Sequence, residues 1–145
     1  MSFAATRHVH DHCLCFATQR AARTLARCFD VALRPVGLTS GQFSLLMSLN
    51  WPQPSTVGAV ATLLGMDRTT LTANLKPLGR EGLVASAVDP DDKRGRRIAL
   101  TAKGMRKLKK ALPIWQRTHE EIDRLLVPAN GLSVRAGLRA LAESY

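Results

Sequence analysis

The chain has 145 residues, 21 Lys and Arg against 11 Asp and Glu, and a formal charge of +10. That length makes one domain, or a small core with added arms, and 46% apolar with 22% charged residues excludes wholesale disorder. No apolar run approaches the roughly 18 residues that span a bilayer, and Met1 to Asp11 lacks the apolar stretch of a signal peptide, so a cytoplasmic protein without a membrane partner is expected.

The charge is concentrated. Residues 1–66 hold five Arg and two Asp (net +3), residues 67–110 twelve basic and five acidic residues (net +7), and residues 111–145 four of each. A concentrated excess points to an anionic partner.

From Asp11 to Arg34 the chain has no Gly or Pro, and Leu14, Ala21, Leu25, Cys28 and Ala32 keep a three-to-four spacing, which predicts a long amphipathic helix. Pro35 and Gly37 end it. Before it, His8, His10 and His12 alternate beside Cys13 and read as a frayed tail, not a metal site, because a flexible arm offers no fixed geometry. Along one helix Cys15 and Cys28 lie about 20 Å apart at about 1.5 Å per residue, beyond the roughly 7 Å between Cα atoms that a disulfide allows. Thr39-Ser40-Gly41-Gln42 fits a capping box, with Phe43, Leu46 and Leu49 on one face of the helix it opens. The loop Asn50 to Pro54 follows.

Ser55 or Thr56 caps a short helix carrying Val57, Val60, Ala61 and Leu64, broken by Gly65. Asp67 caps the next, with Leu71, Leu75 and Leu78 inward and Arg68, Thr69, Thr72, Ala73, Lys76 and Arg80 on the other face. A short helix, a glycine turn and a second helix with a polar, basic face make a helix-turn-helix. Pro77 predicts a bend, not an end, since the leucine spacing survives across it; Gly82 is the stop. Leu83–Val88 and Arg97–Leu100 read as strands around the turn Asp89-Pro90-Asp91-Asp92, a hairpin with Lys93, Arg94, Gly95 and Arg96 at its tip. A basic hairpin after a helix-turn-helix is the wing of a winged helix. Thr101 caps a long helix in which Met105, Leu108, Leu112, Trp115, His119, Ile122 and Leu126 form a helix-pairing seam, kinked at Pro113. Pro128 to Gly131 turn the chain, and Ser133 caps a final helix with Val134, Leu138 and Leu141.

The expected fold class is therefore mainly α: a winged helix-turn-helix with a β-hairpin wing, plus N- and C-terminal helices. The boundaries are 1–35 for the N-terminal arm and helix, 36–100 for the winged helix-turn-helix and 101–145 for the C-terminal helices; that the terminal helices form a dimerisation region is what the resemblance named next implies. Enzymatic signatures are missing. There is no G-x-x-x-x-G-K, G-x-G-x-x-G or G-x-S-x-G, and Asp123 stands where an H-E-x-x-H beginning at His119 needs its second His. No cofactor is expected.

Three ordered segments carry a resemblance: Met66-Asp67-Arg68-Thr69-Thr70-Leu71-Thr72-Ala73-Asn74-Leu75 with Glu81-Gly82-Leu83-Val84; Asp89-Pro90-Asp91-Asp92-Lys93-Arg94; and Leu100-Thr101-x-x-Gly104. Over about Leu14 to Leu126 the chain resembles the MarR family of winged-helix transcription regulators. The resemblance implies a homodimer, built from the terminal helices, on pseudo-palindromic double-stranded DNA. Arg68 has the chemistry for guanine O6/N7 or a phosphate; Thr69, Thr70 and Thr72 for phosphate or a thymine methyl; Asn74, Lys76 and Arg80 lie further along the helix. At the wing, the resemblance pairs Asp92 with Arg94, holding the guanidinium for the minor groove, with Lys93 beside them and Arg96 and Arg97 on flanking phosphates. Lys103, Arg106, Lys107, Lys109 and Lys110 read mainly as a solvated face.

Leu14-Cys15-Phe16-Ala17 is similar to the reactive-cysteine segment of the family's organic-hydroperoxide repressors, and a helix N-terminus favours the oxidisable thiolate. The tyrosines of that subgroup fall at Phe29 and Phe43, without hydroxyls, so a small buried apolar cysteine is the competing reading of Cys15. Relatives also imply a small aromatic effector between dimer and DNA-binding regions. The expected function is a repressor released by a small-molecule or oxidant signal, in the manner of a stress response. The alternatives are a thiol-based peroxide sensor or peroxidase using Cys15, and a sequence-neutral architectural DNA-binding protein.

Overall fold

The computed structural model describes residues 2–127 and 130–144. Helix α1 (Phe3–His12) and helix α2 (Leu14–Leu33) lead through a 3-10 turn at Arg34–Val36 into α3 (Ser40–Ser48). Strand β1 (Ser55–Thr56), α4 (Val57–Leu64), α5 (Arg68–Arg80), β2 (Val84–Val88) and β3 (Arg96–Leu100) follow, and α6 (Ala102–Leu126) and α7 (Gly131–Glu143) close the chain. The winged helix-turn-helix is present with its flanking helices.

Local chemistry places most boundaries. The Thr39 hydroxyl accepts from the Gln42 N–H while the Gln42 side chain accepts from the Thr39 N–H, so the capping box forms in full. Thr56, Asp67 and Thr101 each accept from the backbone N–H three residues on, starting α4, α5 and α6. Gly65 ends α4 at φ 61° and Gly82 follows α5 at φ 69°, both left-handed conformations that a side chain disfavours. Pro77 sits inside α5, which continues through it. The acceptor it leaves without a donor is the carbonyl of Ala73, on the exposed face where water reaches it.

One buried cluster underlies the winged region. Leu33 and Leu46 pack with Val60, Leu71, Leu78, Leu83, Ile98 and Leu108, all at most 4% exposed. Each such leucine stabilises by about 1.5–3 kcal/mol relative to exposure. Leu71 and Leu78 are fully buried, which orients the opposite face of α5 outward. The helix α6 approaches this core through Gly104, where an added Cβ would lie 2.1 Å from the Leu83 carbonyl oxygen. Thr101 completes that junction, its hydroxyl donating to the Gly82 carbonyl at 2.7 Å.

Three expectations need correction. The N-terminal tail is helical as α1, capped by the Ser2 hydroxyl, and the long helix is divided at Cys13, whose extended backbone and sulfur cap α2. Hydrophobic periodicity could not find α1, because no residue of it is buried. The wing is a three-stranded sheet, not a lone hairpin: β1 pairs with β3 (Ser55↔Ile98, Thr56↔Arg97), and two residues are too few to show alternation. Helix α7 starts at Asn130, at φ 53°, and not after Ser133, since Asn tolerates that conformation better than most residues. Helix α6 faces the core of the single chain through Gly104, Leu108, Ala111 and Thr118, and of the expected seam Met105, Trp115, His119, Ile122 and Leu126 are half-buried and Leu112 is exposed. Pro128 in the expected turn lies outside the described residues.

Candidate nucleic-acid interface

Helix α5 presents Arg68, Thr69, Thr70, Thr72, Asn74, Lys76 and Arg80 to solvent; at 3.6 residues per turn Arg68, Thr69, Thr72, Lys76 and Arg80 share one side, and Thr70 and Asn74 flank it. Its first turn is tightly fixed. Asp67 accepts from both the Thr70 N–H, at 2.8 Å, and the Thr70 hydroxyl, at 2.6 Å. Those bonds, the hydroxyl's first, hold the Asp67 carboxyl below its usual range. The Thr72 hydroxyl donates to the Arg68 carbonyl at 2.7 Å. The hydroxyl protons of Thr70 and Thr72 are thus spent within the helix, and each oxygen keeps lone pairs for accepting. The Asn74 amide lies 3.9 Å from the Met66 sulfur, a weak contact that leaves it open to a stronger partner.

The wing is built differently from expectation. Asp92 accepts from the backbone N–H of Arg94 at 2.9 Å, an Asx-type turn. No ion pair joins the Asp92 and Arg94 side chains among those formed by the described residues, so Asp92 shapes the turn and the Arg94 guanidinium projects from it. Arg97, expected on a phosphate, is turned into the hairpin: Nε donates to Asp89 at 2.8 Å and Nη2 to Asp91 at 2.6 Å. Asp89 is 5% exposed, and a buried carboxylate needs such a partner. Asp89 also accepts from the Asp91 N–H at 3.1 Å, so one buried carboxylate organises both sides of the tip. Sequence reasoning missed this brace, because a turn rich in Asp looks solvated until one of its carboxylates is found under the chain.

Between α5 and the wing lies a cleft of about 390 Å³ bordered by Gly58, Arg68, Thr72, Asp92, Arg94 and Arg96. Three guanidinium groups line one opening, with Asp92 the nearby carboxylate not held by Arg97. Such a surface attracts a polyanion, and its helix face carries the donors that read base edges. Lys93 continues the exposed basic tip.

The cysteines and histidines lie in the first two helices. Cys15 is exposed in the first turn of α2, with the Gln19 amide 3.1 Å from its sulfur, which does not fit the buried reading in this single chain. Cys13 and Cys28 are likewise free. His8 and His12 stack at 4.3 Å on α1. His119 stacks on Trp115 at 4.6 Å, with a buried Nδ1 that finds no partner among the described residues. No helix among the described residues is long and apolar enough to cross a membrane.

Comparison with known proteins agrees with this geometry. A family model described as the MarR family matches residues 38–95. The transcriptional regulator MosR of M. tuberculosis, solved in complex with DNA, is 40% identical with a TM-score of 0.83, covering 92% of this chain and 96% of that one. The transcriptional repressor CouR, bound to a 23-mer DNA duplex, is 30% identical with a TM-score of 0.73 and 94% coverage of both chains. An HTH-type transcriptional regulator, TtmR of Methylorubrum extorquens (strain PA1), is 36% identical over 94 residues, 65% of this chain; the match spans only 48% of that relative's length.

Proposed function

This chain belongs to the MarR family of DNA-binding transcriptional regulators, and from that premise we propose that it acts as a homodimeric repressor on a pseudo-palindromic operator. The observation that carries the reading is the exposed Arg-Thr-Asn-Lys face of α5 beside the arginine-lined cleft of the wing. Arg68, Thr69, Thr70, Thr72, Asn74, Lys76 and Arg80 enter the major groove. Lys93, Arg94 and Arg96 reach the minor groove and flanking phosphates, while Asp92 and Arg97 hold the wing in shape.

The dimer reading rests on the terminal helices. An apolar groove of about 540 Å³, lined by Phe16, Leu25, Ile122, Leu126, Val134 and Leu138, is open in the single chain, and a second copy would close it. The releasing signal acts on this dimer by favouring a spacing of recognition helices that mismatches the operator, as a ligand must if it binds one geometry better. Two signals fit: a small aromatic effector near Trp115, or peroxide oxidation at the exposed Cys15 thiol.

Selection of bound duplexes from random DNA at fixed salt tests the reading. The expected product is an inverted repeat with half-sites about one turn, 10–10.5 bp, apart and a preference over random DNA of at least ~10³. Steep salt dependence without that preference would support the architectural alternative. Within the selected site, Arg94→Ala weakens binding well beyond Arg139→Ala; equal effects sink the wing assignment. Mild peroxide releasing wild type but not Cys15→Ser identifies the oxidant route.

A further inference from the structure

We propose that Gly58, on the helix preceding the recognition helix, is a positioning residue that sets where the Arg68 guanidinium meets DNA; this rests on the DNA-binding reading above. Gly58 lies in the first turn of α4, one residue after Val57. Its φ is not among the positive values of the chain, so its backbone does not require glycine. In helices glycine is less favourable than alanine by about 0.5–1 kcal/mol. The local chemistry of α4 therefore gives no reason for glycine here.

The neighbouring side chain gives one. A Cβ at Gly58 would fall 2.9 Å from Arg68 Nη2 and 3.5 Å from both Cζ and Nε, and nothing but this guanidinium is among its nearest atoms. The guanidinium lies against the bare Cα, inside the cleft that Arg94 and Arg96 also border. Arg68 forms no side-chain hydrogen bond or ion pair among those found for the described residues, so the donors of its guanidinium are free for an anion or a base edge. Arg97 is the contrast: its guanidinium is held by two carboxylates, whereas Arg68 is held by shape alone.

Gly58 and Gly104, the described glycines at which an added Cβ would come within 3.0 Å of a neighbour, differ in what they crowd. At Gly104 the obstacle is backbone, so a side chain there disrupts the fold. At Gly58 the obstacle is the end of a flexible side chain, so a larger residue leaves the fold intact and moves the guanidinium. Replacing Gly58 should accordingly weaken DNA binding while leaving stability unchanged or raised. A general structural role would lower both.

A double-mutant cycle on the selected operator duplex, with Gly58→Ala, Gly58→Leu, Arg68→Ala and the combined variants, tests this. Arg68→Ala is expected to weaken binding roughly tenfold or more. Gly58→Leu should reproduce most of that loss, Gly58→Ala part of it, and neither should weaken the Arg68→Ala chain further, with thermal midpoints at or above wild type. The same loss from Gly58→Leu in both backgrounds overturns the proposal. So does wild-type affinity in either Gly58→Leu or Arg68→Ala. The Nε–Hε NMR resonance of Arg68 in the free protein separates this proposal from the DNA reading. If wild type finds no specific site, the DNA reading fails, and a resonance that Gly58→Leu shifts still supports the seat; an unshifted one overturns it.

Discussion

The winged region and the helical arms are both rich in apolar residues and dispose of them in opposite ways. From α3 to the start of α6 most of the leucines and valines close over one another, with Leu46, Leu71, Leu78 and Leu83 removed from solvent, while Leu63 and Val88 stay exposed. Helices α1 and α7 bury no residue, and α2 buries only Leu33, leaving Phe16, Leu25, Leu138 and Leu141 exposed. The difference teaches that one part of this chain satisfies its own hydrophobic pattern and the other is patterned for a surface that it does not itself contain.

The strongest way to break the self-sufficient half is at its tightest backbone contact. Gly104→Ala forces a methyl group against the Leu83 carbonyl and should destabilise by about 3 kcal/mol or more, read as a loss of urea midpoint; a variant as stable as wild type shows that the α6 junction is looser than described. Next in size is the arm test. Leu25→Glu with Leu138→Glu places charge in the apolar groove, and sedimentation should show a monomer in place of the dimer proposed for wild type. Operator affinity then falls roughly 10²-fold or more, because the second half-site is no longer tethered. If this variant remains dimeric, the groove is covered by something other than a second copy.

The smallest effect is acid sensitivity at the start of the recognition helix. The Asp67 carboxyl is held below its usual value by the Thr70 hydroxyl and N–H. A lowered acid contributes stability that is full above the unfolded value near 3.9 and disappears as pH falls through the folded one. The thermal midpoint of wild type relative to Asp67→Asn should therefore shrink between about pH 5 and pH 3. A constant difference across that range assigns the cap to geometry, with no part for charge. The Asp30 carboxyl, lowered by the Ser40 N–H at 2.6 Å, adds to the same acid limb.

Most of the winged half is legible in the sequence alone. Caps at Thr39, Thr56, Asp67 and Thr101, stops at Gly65 and Gly82, and the Leu71 and Leu78 spacing are local rules acting over three or four residues, so they survive in the sequence. The exposed face of α5 follows from them. What the wing tip does was not legible, because Arg97 and Asp89 are eight residues apart and both look like surface charges. Which Asp is buried depends on how β3 folds back over it. Helix α1 escaped for another reason: its apolar residues, Phe3 and Val9 among them, are few and unburied, and they do not mark a face packed on the rest of the chain.

By itself, then, the sequence determined where helices begin and end, which side of α5 faces out and where positive charge gathers, because capping, periodicity and charge are properties of neighbours along the chain. Only the tertiary structure decided the third strand at Ser55–Thr56, the brace of Arg97 and the seat of Arg68 on Gly58. Those contacts join residues ten or more positions apart in two cases and eight apart in the third. Their partners are selected by packing in space, and no short stretch of chain holds both members of the first or last pair.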